Sequence, residues 1–248
     1  MITLAIDTSS STGSIALLKD GHPLAERRLV SLPGHSESLL INMRMMVNEA
    51  GIGFSDMDLL GVGLGPGSFT GLRVGLAAMK GLHLSIRRPL LGASSLKALA
   101  MNSLMIKREF PFFVCAAIDA RRGDIFCAVY EFRNTGIVNI FNERMLKPGE
   151  LEPMLDKLNA KVLCLGDAFS ETPPSRALHI SPIPSMIFAD EEILNYPSAL
   201  NIARIAEGRI ASGEMDDPAA LEPRYLRPVD FTKSAAPNPS SIASSIAE

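Results

Sequence analysis

An aspartate that ends an apolar run and is followed by hydroxyls is a chemically loaded start. Residues 3–6 (Thr-Leu-Ala-Ile) lead into Asp7-Thr8-Ser9-Ser10. A carboxylate and hydroxyls at such a turn could hold a hydrated magnesium ion and donate to phosphate oxygens. The same residues could equally satisfy their own backbone as an Asx or Ser turn. A second loaded stretch is Gly65-Pro66-Gly67-Ser68, where a strand-like run passes into a helix-like one. The unpaired N–H groups of a helix start make such a junction an anion site, with Ser68 or Thr70 as its cap. A third is Asp119, followed by Arg121 and Arg122. Their guanidinium groups could meet phosphate or a partner's carboxylates, or tip a solvated hairpin.

Other chemistries lack their residues. A helical metal pair needs a second His four positions after His35, and that position is Leu39. His22, His83 and His179 are scattered, so no metal site is expected. The residues around Ser68 do not form a GxSxG nucleophile elbow. Cys115, Cys127 and Cys164 sit in apolar runs, make no CxxC and are odd in number. They read as small core hydrophobes of a reducing compartment.

Local pattern supplies the strands and helices that carry these residues. Residues 2–30 read as a strand, a polar turn and a hairpin closed by Asp20-Gly21. A helix is expected over about 36–50, with Leu39, Met43, Met46, Val47 and Ala50 at helical spacing and Gly51 as its stop. A second is expected over about 70–86, where Gly71, Gly75 and Ala78 line one small-residue face that reads as a packing seam. A short strand and another helix come next, from about Leu90 and Leu96.

The stretch Ala117-Ile118-Asp119, polar turn, Gly123, apolar run repeats the layout of Ala5-Ile6-Asp7, polar turn, Gly13, apolar run. Residues 162–167 echo residues 60–65 in the same order, which points to a duplicated α/β unit. Residues 170–184 read as loop, 198–211 as an amphipathic helix, and 221–228 as a proline-bracketed extended segment. The Ser, Ala and Pro-rich stretch 232–248 is expected to be disordered.

Composition sets outer bounds. The 248 residues are 47% hydrophobic and 21% charged, enough for a substantial core. Net charge is 24 − 27 = −3, so any RNA contact would run through a local patch or a partner. No signal peptide and no spanning stretch is read.

Five stretches carry a family resemblance: LAIDTSS at 4–10, HSESLL at 35–40, GPGSFTGLRVGL at 65–76, AAIDARRGDIF at 116–126 and LEPRYLRP at 221–228. Together they resemble the bacterial TsaB (YeaZ-like, glycoprotease-like) family of tRNA threonylcarbamoyladenosine biosynthesis proteins. The resemblance implies a duplicated actin-like, Hsp70-like ATPase fold, with two lobes that each carry a mixed sheet flanked by helices. The expected division is an N-terminal lobe over 1–106, completed by the helix at 198–211, and a C-terminal lobe over 107–197. Residues 212–231 would be extended.

The resemblance also implies function. The chain would be a cytoplasmic, noncatalytic subunit that supports a TsaD-type catalytic subunit in threonylcarbamoyl transfer to the adenosine beside the anticodon. A TsaE-type ATPase would be a further partner, tRNA would be met through the complex, and the chain alone would dimerise. Its partner surface would comprise Leu39, Met43, Met46, Val47, Gly71, Arg73, Gly75, Ala78 and Leu82, and Gly75→Leu would break association without unfolding. The phosphate-loop candidates are Asp7, Thr8, Ser9, Ser10, Gly65, Gly67, Ser68, Asp119 and Arg121. No cofactor is expected for the chain alone; ATP or ADP with magnesium would sit at the junction with the partner. The alternatives are an ATP-dependent phosphotransferase of the same fold and, more remotely, a metallopeptidase.

Overall fold

The computed structural model describes residues 1–30, 35–106, 109–169, 184–189 and 191–227. The stretch 232–248 and nearly all of the loop at 170–184 lie outside them. Two five-stranded mixed sheets form two lobes. The first has the order β3-β2-β1-β4-β5, with β1 (Ile2–Asp7), β2 (Thr12–Lys19), β3 (His22–Val30), β4 (Leu59–Gly63) and β5 (Leu90–Ala93). β1 pairs antiparallel with β2 and parallel with β4. The β2–β3 hairpin turns at Asp20 and Gly21, both at positive φ (52° and 76°), as a tight two-residue turn requires.

β1 is buried on both faces, and its alternation sorts the helices. Leu4 and Ile6 pack with Leu39, Met43, Met46 and Val47 of α1 (His35–Glu49) and with Leu76 and Met79 of α2 (Phe69–Ile86). Ala5 faces the other way, with Ala16, Ile202 and Ala203. That face is built of small residues: a Cβ on Gly61 would lie 3.2 Å from Ala5 and 3.4 Å from Ile202. α5 (Ala199–Ala211) therefore lies close against the first sheet, although it comes last in the chain.

The second sheet has the order β10-β9-β6-β7-β8, with β6 (Phe112–Arg121), β7 (Asp124–Arg133), β8 (Gly136–Leu146), β9 (Val162–Leu165) and β10 (Met186–Phe188). α3 (Ser95–Ala100) packs Leu96 and Leu99 on one face with Val114, Ile118 and Tyr130. α4 (Pro148–Asp156) covers the other with Leu151 and Leu155. Cys115, Cys127 and Cys164 lie in that second core, and burial pushes the Cys127 thiol up to about 12. They are core residues, as read.

Two features correct the expected partner surface. Leu39, Met43, Met46 and Val47 are each 1–2% exposed and belong to the core, because the apolar stripe of α1 faces its own sheet. Ala78 and Leu82 pack against the same cluster. The small-residue face of α2 is also internal. A Cβ on Gly71 would lie 2.1 Å from the Thr8 carbonyl oxygen, and one on Gly75 would lie 2.3 Å from Thr8 Oγ1. The seam is real, but the turn after β1 fills it. The apolar residues that α1 leaves outside are a different set: Leu40 (54% exposed), Ile41 (57%) and Met45 (48%).

Candidate functional site

The lobes meet at a cleft of about 980 Å³, lined by residues 8–13, 67–71, 118–122 and 224–227 with Asp167 and Tyr196. All the phosphate-loop candidates lie in or beside it. They are brought together, but the two turns do not present the same chemistry.

In the first turn the Asp7 carboxylate is 1% exposed and fully engaged. Oδ1 accepts from Ser9 N at 2.9 Å and Ser9 Oγ at 2.5 Å, and Oδ2 accepts from Ser95 Oγ at 2.6 Å. Ser95 Oγ in turn accepts from Gly65 N at 3.1 Å. The carboxylate fits there because a glycine stands beside it, since a Cβ on Gly63 would fall 2.1 Å from Asp7 Oδ2. Thr8 Oγ1 donates to Gly71 O at 2.8 Å, and Ser10 Oγ to Thr12 O at 2.9 Å.

The start of α2 is equally committed. Ser68 N donates to Ser9 O at 2.6 Å, and Ser68 Oγ caps the helix by accepting from Gly71 N at 3.2 Å. Gly67 is packed so tightly that a Cβ would meet Ser9 O at 2.2 Å. The Asp7 carboxylate, the Thr8, Ser9 and Ser10 hydroxyls and the Ser68 and Gly71 N–H groups are thus engaged with one another and with the local backbone. Asp7 and Ser9 form an Asx turn, with the carboxylate bonded to Ser9 N and Ser9 Oγ.

The second turn is looser. Asp119 Oδ1 accepts from Arg121 N at 2.7 Å, while Oδ2 is buried with no hydrogen-bond partner and has the Arg121 guanidinium 3.6 Å away. Asp119 N donates to Asp167 Oδ1 at 2.9 Å. Burial pushes the Asp167 carboxyl up to about 6; the Asp119 N–H opposes this, the Asp119 charge adds to it and Arg121 offsets part. Arg121 and Arg122 both take the left-handed region, at φ 65° and 57°, before Gly123 at 83°.

Sequence reading missed the part played by residues 221–227. This segment returns across the cleft and ties the lobes together. Leu221 is buried in the first-lobe core, and Arg224 N donates to Leu64 O at 2.7 Å. Arg227 then reaches the second lobe, donating to Arg121 O at 3.0 Å and Asp124 Oδ2 at 2.8 Å. Between them Tyr225 stacks near Phe69, ring centres 5.1 Å apart, and accepts from Arg73 Nε at 2.9 Å. The Arg73 guanidinium lies 3.8 Å from the Phe69 ring centre. Only the density of Arg, Tyr and Pro in an otherwise uncommitted segment could have signalled this.

Two lobes, each with a mixed sheet and flanking helices, facing each other across a cleft, define the actin-like ATPase fold. The activator of 2-hydroxyisocaproyl-CoA dehydratase from Clostridium difficile, solved with bound ADPNP, shares it at TM-score 0.51 and 13% identity, covering 88% of this chain and 99% of its own. A crystal structure from Pseudomonas aeruginosa, of an uncharacterized protein similar to the peptidase YEAZ, superposes at TM-score 0.77 and 27% identity over 91% of this chain and 99% of that one. Residues 30–220 match the family model described as TsaD, tRNA N6-adenosine threonylcarbamoyltransferase. Escherichia coli (strain K12) tRNA threonylcarbamoyladenosine biosynthesis protein TsaB is 30% identical over 228 residues, which are 92% of this chain and 95% of that relative. The chain belongs to this TsaB family and is a subunit of tRNA threonylcarbamoyladenosine biosynthesis.

Proposed function

We propose that this chain is the noncatalytic subunit that docks a TsaD-type catalytic subunit on the outer face of α1. The observation that carries the proposal is the exposed apolar set Leu40, Ile41 and Met45 on a helix whose inner face is already filled. Single apolar residues on a surface need no explanation, but three within two turns of one helix call for a cover. The internally spent Asp7 supports a supporting role over phosphotransfer, and the likeness to the TsaD model supports a partner of related shape. In this reading a second copy covers the same face when the catalytic subunit is absent, and a TsaE-type ATPase joins the assembled pair in the cytoplasm.

The test is to mix the purified chain with a TsaD-type subunit and measure complex mass by light scattering. Ile41→Asp with Met45→Asp should abolish the complex at micromolar concentration and leave the melting temperature of the chain unchanged. A complex of undiminished mass would refute the docking face.

A further inference from the structure

Between Asp58 and Glu109 the sequence contains no Asp or Glu and seven Lys or Arg, in a chain whose net charge is −3. The structure concentrates four of the seven on α2 and its end. Arg73 and Lys80 are seven residues apart, hence two turns and about 10 Å along one side of the helix. Arg87 caps its C-terminus and Arg88 comes next, both exposed. None of the four forms an ion pair with a carboxylate among the described residues. Lys80 Nζ instead donates to Ala219 O at 3.3 Å.

This cationic edge is not the centre of the apolar docking face. Arg73 and Lys80 turn toward residues 222–225 and, with Leu76, Ala77, Glu222 and Tyr225, line a groove of about 360 Å³. At its end stand the rings of Phe69 (48% exposed) and Tyr225 (39% exposed), with the Arg73 guanidinium stacked on Phe69. A row of cations without carboxylate partners, leading to two half-exposed rings with a guanidinium stacked on one of them, matches how proteins hold a nucleic-acid strand: charge tracks the phosphates, and an Arg–aromatic pair borders a base. Glu222 is the one acidic group lining the groove, and it pairs with none of the cations. The overall negative charge keeps such contact local.

We propose that the edge of α2 formed by Arg73, Lys80, Arg87 and Arg88, with Phe69 and Tyr225, is the surface by which this chain contacts the tRNA backbone. The proposal rests on the family's work on tRNA and deepens the reading above, since it assigns the RNA to the exposed stripe of α2 and leaves the outer face of α1 to the protein partner.

The experiment measures binding of an unmodified tRNA transcript by the assembled complex and by the chain alone at low salt, across a salt series. The variant is Lys80→Glu with Arg87→Glu, checked by its melting temperature and by complex mass. Lys19→Glu, on the exposed end of β2, serves as a remote charge control. The expected result is at least a tenfold loss of tRNA affinity, with the slope of log K against log salt shallower by about 1.4, and complex mass unchanged. Unchanged affinity and slope would overturn the proposal. Loss of the complex in the variant would overturn it too, because the edge would then belong to the protein interface. If the parent chain forms no complex, the docking proposal fails, and tRNA binding by the chain alone still reads this edge through the same variant.

Discussion

The turn after β1 and the turn after β6 are two copies of one design with opposite outcomes. Both run strand, Asp, turn, Gly, strand. In the first, Asp7 is closed by two serines and the turn is clamped under α2, whose glycines let Thr8 come within contact of the helix backbone. In the second, Asp119 keeps a buried oxygen without a hydrogen-bond partner, and the segment that meets it is a short 3-10 turn, Asp167–Phe169, in place of a long helix. The two copies diverge in the element after their fourth strand. A full glycine-faced helix seals one copy, and one buried carboxyl props the other.

The largest break in that comparison comes from filling the seal. Gly75→Leu drives a side chain into Thr8 Oγ1, and Gly71→Ala puts a methyl on the Thr8 carbonyl oxygen. Each should destabilise the chain by about 3 kcal/mol or more, since the blocking atoms belong to a tightly bonded turn. Urea unfolding reads it directly, and a loss below about 1 kcal/mol would show that the turn is not clamped. This reverses the sequence-based expectation that Gly75→Leu spares the fold.

Next in size is the carboxylate's own closure. Ser95→Ala removes a donor from the buried Asp7 and an acceptor from Gly65 N, which should cost about 2 kcal/mol. Asp119→Asn in the other copy keeps the acceptor used by Arg121 N and removes a charge that opposes Asp167, so it should cost less, under about 1 kcal/mol. Equal costs in the two lobes would erase the distinction between a sealed and an open turn.

The propping carboxyl makes a smaller, pH-dependent difference. Asp167 titrates near 6 in the folded chain, above the usual Asp value of about 3.9, so the folded state holds a proton that the unfolded state releases. Its contribution is intact below about pH 4 and is lost as pH rises through 6. Asp167→Asn keeps the acceptor for Asp119 N and removes the penalty. The variant should therefore gain on its parent between pH 4 and 7, by about 1–2 kcal/mol once the residue's partial exposure is discounted. Parallel stability-against-pH curves for the two proteins would refute the buried-acid account.

The duplicated layout, the Asp20-Gly21 hairpin and the main helices were legible because each rests on local pattern. The partner surface was not, for a physical reason: an apolar stripe at helical spacing faces the chain's own core first, and Met43 and Met46 obey that rule. β8 went unread because its sequence, GIVNIFNERML, mixes exposed and half-buried positions at a sheet edge without clean alternation. α4 is short and carries Pro153, and β10 has only three residues. The tie made by residues 221–227 depends on long-range partners, Leu64 and Asp124, that no local pattern announces. Asp7, Ser9 and Gly65 were found as a cluster, but only geometry shows that they spend their hydrogen bonds on each other.

The smallest prediction separates the two sides of α2 itself. Gly75 and Gly81 sit in one helix, both at helical φ, and composition alone gives them the same weight. Gly75 is buried against Thr8, whereas a Cβ on Gly81 would meet nothing within 4 Å. Gly81→Ala therefore adds no clash and removes the backbone freedom that glycine loses on folding, so it should stabilise the chain by about 0.5–1 kcal/mol. A rise in melting temperature with unchanged partner binding would show that Gly81 is a free position on the outer face. A stabilised chain that no longer binds its partner would instead place the partner's backbone against Gly81. The close-approach seam would then exist on the outside of α2 as well as beneath it, with glycine kept there for contact between chains.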